Sequence, residues 1–362
     1  MFKKLLVILV LSVFLAVPSK VFAAINTTPN LKVAFIGDVG LTSNSKAVLK
    51  QIKSQNVDAL VISGDFSYDE SDNGARKFED MLNNILGENF PIFLAVGNHD
   101  TKNWPVYQDY FKKRVNRLPQ MVCSGDLGVN SSCVYKGLKI ILSGIGTLGS
   151  DHNSYIQQEL NNSTDFTWKI CSWHKNQATL QVGSKPDEVG WQAYEDCRQN
   201  GAIIITSHEH SYERTKTLTN MQFRTVSENY SDPNNLLVAP GNSFVVVTGL
   251  GGLTKRKQVR CKPTMYPYGC EGEWAFIYTV DQQADYGALI ITYNVNGDPA
   301  KAKGEFVTLH GKVVDSFTIT SKNTLQELPT PTPTTTFDKY DINKDGGVDI
   351  LDVIKMITLL FQ

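Results

Sequence analysis

Gly64-Asp65-Phe66-Ser67-Tyr68 follows the apolar run Ala59-Leu60-Val61-Ile62. The run reads as a buried parallel strand, apolar on both faces. It delivers a carboxylate and, three residues on, a phenol to its C-terminal end. A carboxylate can bridge two metal ions, and a phenolate suits a hard trivalent one.

The flanking pattern repeats this layout. Lys32 to Ile36 is a strand ending at Gly37-Asp38-Val39-Gly40, and Pro91 to Val96 is a strand ending at Gly97-Asn98-His99-Asp100. Helical spacing separates them: Asn44 to Gln55 carries Ala47, Val48 and Ile52 on one face, and Lys77 to Leu86 carries Phe78, Met81, Leu82 and Ile85. Strands alternating with helices predict a parallel α/β sheet, whose sites lie at the carboxyl ends of the strands. Trp104 to Arg117 reads as a helix, and 118–136 as a loop-rich insertion with two cysteines. Strands follow at Leu138 to Leu142, at Thr167 to Cys171 leading into Ser172-Trp173-His174, and at Ala202 to Thr206 leading into Ser207-His208-Glu209-His210. Tyr155 to Leu160 and Glu188 to Asn200 read as helices between them. From Phe244 to Thr320 the pattern is mostly strand.

The 362 residues are 41% hydrophobic and 20% charged, which suits a large buried core. A net charge of −1 leaves no electrostatic footprint for nucleic acid. Residues 1–23 read as a secretory signal: Lys3-Lys4, an apolar stretch from Leu5 to Val17, then Val21-Phe22-Ala23. That stretch is too short for the ~20 residues of a membrane span, so the expectation is an exported, extracytoplasmic chain with no membrane span after cleavage. Six cysteines then suggest disulfides. The sequence-local pairing is Cys123/Cys133, Cys171/Cys197 and Cys261/Cys270, although the spacing leaves connectivity open.

Asp38, Asp65 with Tyr68, Asn98 with His99, His174, and His208 with His210 all follow apolar strand-like runs. Singly, each motif is weak, since Gly-Asp at a strand end is commonly a turn. Together they supply the carboxylates, imidazoles and phenol of a two-metal centre, in which paired ions clamp a phosphate and acidify water. His208 and His210, at i and i+2, would reach two neighbouring ions rather than one. No serine nucleophile elbow and no phosphate-cradling GxxxxGK[ST] loop is present.

On these five motifs the chain resembles the purple acid phosphatases within the calcineurin-like metallophosphoesterases, over roughly residues 32–320. The resemblance implies a four-layer α/β/β/α sandwich. It puts Asp38, Asp65, Tyr68 and His210 around Fe(III). It puts Asp65, Asn98, His174 and His208 around a divalent ion (Fe, Zn or Mn), with Asp65 bridging. It places His99 beside the phosphate or its leaving group, with Asp100 orienting His99. The implied activity is hydrolysis of phosphate monoesters, with a phosphodiesterase or nucleotidase as the alternative and a non-catalytic surface protein as a third reading. Cys171 stands where the family usually has valine and Ser207 where it has glycine; neither position supplies a ligand there. No fibronectin-like domain precedes the catalytic region, unlike the large plant forms, which implies the small type or a bacterial-style branch.

Residues 24–322 thus form the expected catalytic domain. Residues 323–336, rich in Pro and Thr, read as a stiff extended linker. In 337–362, Asp341, Asn343, Asp345, Gly347, Asp349 and Asp352 have the spacing of an EF-hand calcium loop, with Gly346 at its turn. Asp352 stands where Glu is usual. With the apolar helix Ile350 to Phe361, this resembles one dockerin repeat and implies a cohesin-like or surface partner. Two further residues are weighed against the cleft: His152, in a polar loop, and Trp173, beside His174. His310-Gly311 reads as a hairpin turn.

Overall fold

The computed structural model describes residues 27–323, 341–343 and 349–361. The signal-like segment, the linker beyond Asn323 and the calcium positions Asp345 and Gly347 lie outside them.

Two large sheets form. In the first, strand order runs Asn235–Val238, Val313–Ser321, Lys301–Thr308, Gly287–Tyr293, Leu31–Ile36, Ala59–Ser63, Ile92–Ala95. In the second it runs Trp274–Tyr278, Tyr212–Thr215, Val245–Thr248, Ile203–Thr206, Trp168–Trp173, Leu138–Ser143, Asn130–Tyr135, Val122–Asp126. The predicted strands Leu31–Ile36, Ala59–Ser63 and Ile92–Ala95 pair in parallel. Leu138–Ser143, Trp168–Trp173 and Ile203–Thr206 do the same in the second sheet. Each parallel set therefore ends on one edge, and the five motifs sit on those edges.

Side-chain alternation explains the layering. Ile140, Ile170, Ile203, Ile205 and Val246 join a core shared with Phe35, Val61 and Phe93 of the first sheet. The intervening Ile141, Cys171, Trp173, Ile204 and Val245 face away, and pack with Ile156 and Leu160 of the His152–Asn161 helix and Tyr194 of the Gln192–Gln199 helix. The helices Ser43–Ser54, Asp72–Ile85 and Trp104–Arg117 contribute Val48, Phe78 and Phe111 to the first core. The expected four-layer sandwich is what forms.

Three expectations need correction. The 118–136 insertion is a β-hairpin, not a loop: Val122–Asp126 pairs antiparallel with Asn130–Tyr135. Its exposed Ser/Gly-rich outer strand carries no hydrophobic alternation to read. Cys123 and Cys133 face each other in that register and are bonded. The helix expected from Lys77 begins at Asp72, because the Ser71 side chain accepts the Gly74 N–H as an N-cap. The helix expected over Glu188 to Asn200 is confined to Gln192–Gln199, which leaves Glu188 in a loop.

All three sequence-local disulfides are present. Cys171–Cys197 ties the strand that carries His174 to the helix behind it. The C-terminal helix spans Ile350–Leu360; Asp349 caps it, and Ile350, Leu360 and Phe361 are exposed.

Candidate metal centre

Four of the seven expected ligands adopt left-handed backbone: Asp38 (φ 54°), Asp65 (φ 55°), Tyr68 (φ 59°) and His208 (φ 67°). Non-glycine residues rarely take this conformation, and it concentrates at functional sites. It turns each side chain off the end of its strand. Two glycines make the approach possible. A Cβ on Gly64 would strike Gly97 and the His174 ring, and one on Gly97 would strike Asp65.

The seven side chains converge as two abutting groups. In the first, the Tyr68 hydroxyl donates to Asp38 Oδ1 (2.8 Å), and His210 Nε2 lies 3.3 Å from the same oxygen. In the second, His174 Nε2 lies 3.2 Å from both Asp65 Oδ2 and Asn98 Oδ1, and 3.1 Å from His208 Nδ1. Asp65 faces both groups, since its charge also bears on the Tyr68 hydroxyl. His208 and His210 thus serve different groups, as their i, i+2 spacing predicts.

The electrostatics call for cations. Asp38 and Asp65 are almost fully buried, and the ionic partners seen for them are histidines. Burial works against the Asp38 carboxylate, but His210, His174 and His208 outweigh it and hold its pKa well below the usual range. Burial, with the charges of Asp38 and Asp65, pushes the Tyr68 phenol far up. Burial would lower His174, yet Asp65 and Asp38 raise it to about 9. Burial and the His174 charge push His208 down to about 4. A buried set of two carboxylates, an amide oxygen, a phenol and three imidazoles fits iron, zinc or manganese.

Each imidazole turns one nitrogen inward and the other toward a polar group behind it. His174 Nδ1 meets the Ser63 carbonyl (2.8 Å) and the Ser207 hydroxyl (3.3 Å). His210 Nδ1 meets the Thr254 hydroxyl (2.5 Å). His208 Nε2 lies 3.0 Å from Glu188 Oε2. Outer partners of this kind fix ring orientation at metal sites. The sequence reading missed Thr254 and Glu188, which lie far along the chain in segments without motifs, and gave Ser207 no part.

His99 sits at the mouth. Its half-exposed ring lies against Tyr68 (4.6 Å between centroids), and its Nδ1 is 3.5 Å from Glu70. Asp100 does not orient it. The buried Asp100 carboxylate accepts the main-chain N–H groups of Asp65 (2.8 Å), Phe66 (2.9 Å) and Gly97 (2.8 Å). It therefore braces the two ligand loops against each other, because buried backbone N–H groups need acceptors. Trp173 is fully buried and packs edge-to-face on Tyr194, since strand alternation turns it to the helix side. His152 is buried too, with Nδ1 2.6 Å from Asn130 Oδ1.

Behind the HxH segment, the fully buried Glu213 accepts the Val182 N–H (2.8 Å) and the Ser211 hydroxyl (2.5 Å). Burial, opposed by the Ser211 bond and reinforced by nearby Glu209, raises its pKa from 4.5 to about 8, with Arg260 acting the other way. Between those values the folded chain holds a proton that the unfolded chain has released. The stability that Glu213 itself contributes should therefore be full below about pH 4.5 and be lost as pH rises toward about 8, by at most ~1.4 kcal/mol per pH unit. Glu213→Gln should flatten that part of a denaturant-midpoint against pH curve; an unchanged slope would refute the assignment.

Residues 31–212 match the family described as calcineurin-like phosphoesterase. Purple acid phosphatase 22 of Arabidopsis thaliana is 24% identical over 213 residues, covering 55% of this chain and 47% of the plant protein. The chain thus spans about half that relative's length. Among solved structures, the purple acid phosphatase PPD1 of yellow lupin (Lupinus luteus) superposes with a TM-score of 0.57 at 17% identity, over 81% of this chain and 55% of that one. GAP50, described as the anchor in the inner membrane complex of Plasmodium, gives 0.52 at 13% identity, over 81% and 89%. At these identities the two structures support the fold alone.

Proposed function

Because this chain belongs to the calcineurin-like phosphoesterase family, we propose that it is an exported two-metal hydrolase of phosphate monoesters, of the acid phosphatase type. The observation that carries this reading is the convergence of Asp38, Asp65, Tyr68, Asn98, His174, His208 and His210 in one buried cluster. Asp38, Asp65, Tyr68 and His210 would hold Fe(III), and Asp65, Asn98, His174 and His208 a divalent ion. Two cations held there supply Lewis-acid charge to phosphate oxygens and acidify water at modest pH. The chain's own groups do the rest. Asp65 spans the two groups. The Asp100 carboxylate keeps the Asp65 and Asn98 loops in register. His99 turns Nδ1 to Glu70, so Nε2 is the atom that would give a proton to the leaving alkoxide.

Export is supported by the signal-like N-terminus and by three disulfides among the described residues. In the C-terminal segment, Asp352 accepts the N–H groups of Asn343 (3.0 Å) and Asp349 (2.8 Å), which closes the proposed calcium loop. The dockerin-like reading and a cohesin-like partner rest on the sequence motif alone.

The purified protein loaded with iron and zinc should show a visible phenolate-to-Fe(III) absorption that Tyr68→Phe removes. It should hydrolyse p-nitrophenyl phosphate faster than bis(p-nitrophenyl) phosphate. The reverse preference would make it a diesterase. No turnover of either ester after metal loading would sink the hydrolase reading, and would leave a non-catalytic surface role.

A further inference from the structure

Lys175 directly follows the His174 ligand, and Glu188 lies thirteen residues further on in the same loop. Lys175 Nζ lies 2.5 Å from Glu188 Oε1. Glu188 Oε2 lies 3.0 Å from His208 Nε2, meeting the ring off the line of an ideal hydrogen bond, and has no hydrogen-bond partner of its own. The loop is fixed where it carries Glu188. The Glu188 N–H donates to the Asn176 carbonyl (3.2 Å), and Gly146 packs so closely on the Glu188 carbonyl that a Cβ there would collide with it. Glu188 thus faces His208 from behind, while Nδ1 of the same ring faces His174 at 3.1 Å.

We propose that Lys175 and Glu188 form a positioning pair for His208, which sets metal affinity at the His174/His208 position separately from the Asp38/Tyr68/His210 position. This rests on the two-metal reading above. A carboxylate behind a ligating imidazole fixes the tautomer and raises donor strength. Lys175 holds that carboxylate in place and balances its charge. The other histidine of the HxH pair has the neutral Thr254 hydroxyl behind it. The two metal positions are therefore backed by partners of different charge, carried on different loops.

The test is zinc binding rather than turnover. The full chain, stripped of metal, is titrated with zinc against a chromophoric chelator. The unaltered chain should take two equivalents. Glu188→Gln should weaken one of them about 10–100-fold and leave the other unchanged, with no change in the melting temperature of the stripped protein. Lys175→Gln should loosen the same equivalent to a lesser extent. Thr254→Val should weaken the opposite one. Two unchanged equivalents in Glu188→Gln would overturn the inference. So would equal weakening of both, which would assign the pair to general packing. An unaltered chain that binds no zinc would overturn the two-metal reading beneath it.

Discussion

Asp65→Asn is expected to lose tight zinc binding at both positions and to lower kcat/KM for p-nitrophenyl phosphate by well over a hundredfold. Loss of an outer partner of a metal ligand typically costs about 10–100-fold, and Asp65 stands inside both groups. Its Oδ2 lies 3.2 Å from His174 Nε2, and its Oδ1 accepts the His99 N–H at 2.9 Å. Asparagine is the informative replacement because it tolerates the left-handed backbone at φ 55°, where alanine would add strain. It also keeps the side-chain shape, so a loss reports the missing charge. Without that charge, His174 Nε2 loses the carboxylate it faces at the proposed divalent position. Two retained zinc equivalents with turnover within tenfold of the original would refute the bridging role.

Asp315→Ala is expected to destabilise the fold by about 3–5 kcal/mol, the usual consequence of leaving a buried charge without its partner. Arg214, on the Tyr212–Thr215 strand of the second sheet, is fully buried. Its Nε and one terminal nitrogen both lie 2.8 Å from the Asp315 carboxylate, on the Val313–Ser321 strand of the first sheet. Tyr212 donates to that carboxylate at 2.7 Å, and Phe317 lies 4.1 Å beneath the guanidinium. The pair therefore clamps the two sheets. Denaturant midpoints at constant m should report the loss. The double change Arg214→Met with Asp315→Leu should recover part of it, because an apolar pair of similar size avoids the desolvation cost while the Tyr212 hydroxyl loses its acceptor. A loss below about 1 kcal/mol in Asp315→Ala would mean that water reaches the guanidinium.

The sequence carried the strand ends well. Asp38, Asp65, Asn98, His174 and His208 each follow a run whose apolar pattern is local, so the motif and its place in the fold can be read together. The sequence suggested disulfides but left their connectivity open; the structure takes the sequence-local pairing. The hairpin at 122–135 was not legible, because an exposed strand of Val, Cys, Ser, Gly and Asp has no periodicity to betray it. Asp100 was misread for a different reason. Its neighbour in sequence is His99, but its neighbours in space are three main-chain N–H groups.

By itself, the sequence determined which side chains could form the centre and the carboxyl edges on which they stand. These depend on local spacing and on the two-residue period of a strand. Only the tertiary structure decided which groups stand behind them. Glu188 behind His208, Thr254 behind His210, and Asp315 against Arg214 from 101 positions away are pairs made by packing. Burial compels each polar atom to find a partner, and which partner lies within reach depends on how the sheets and loops meet.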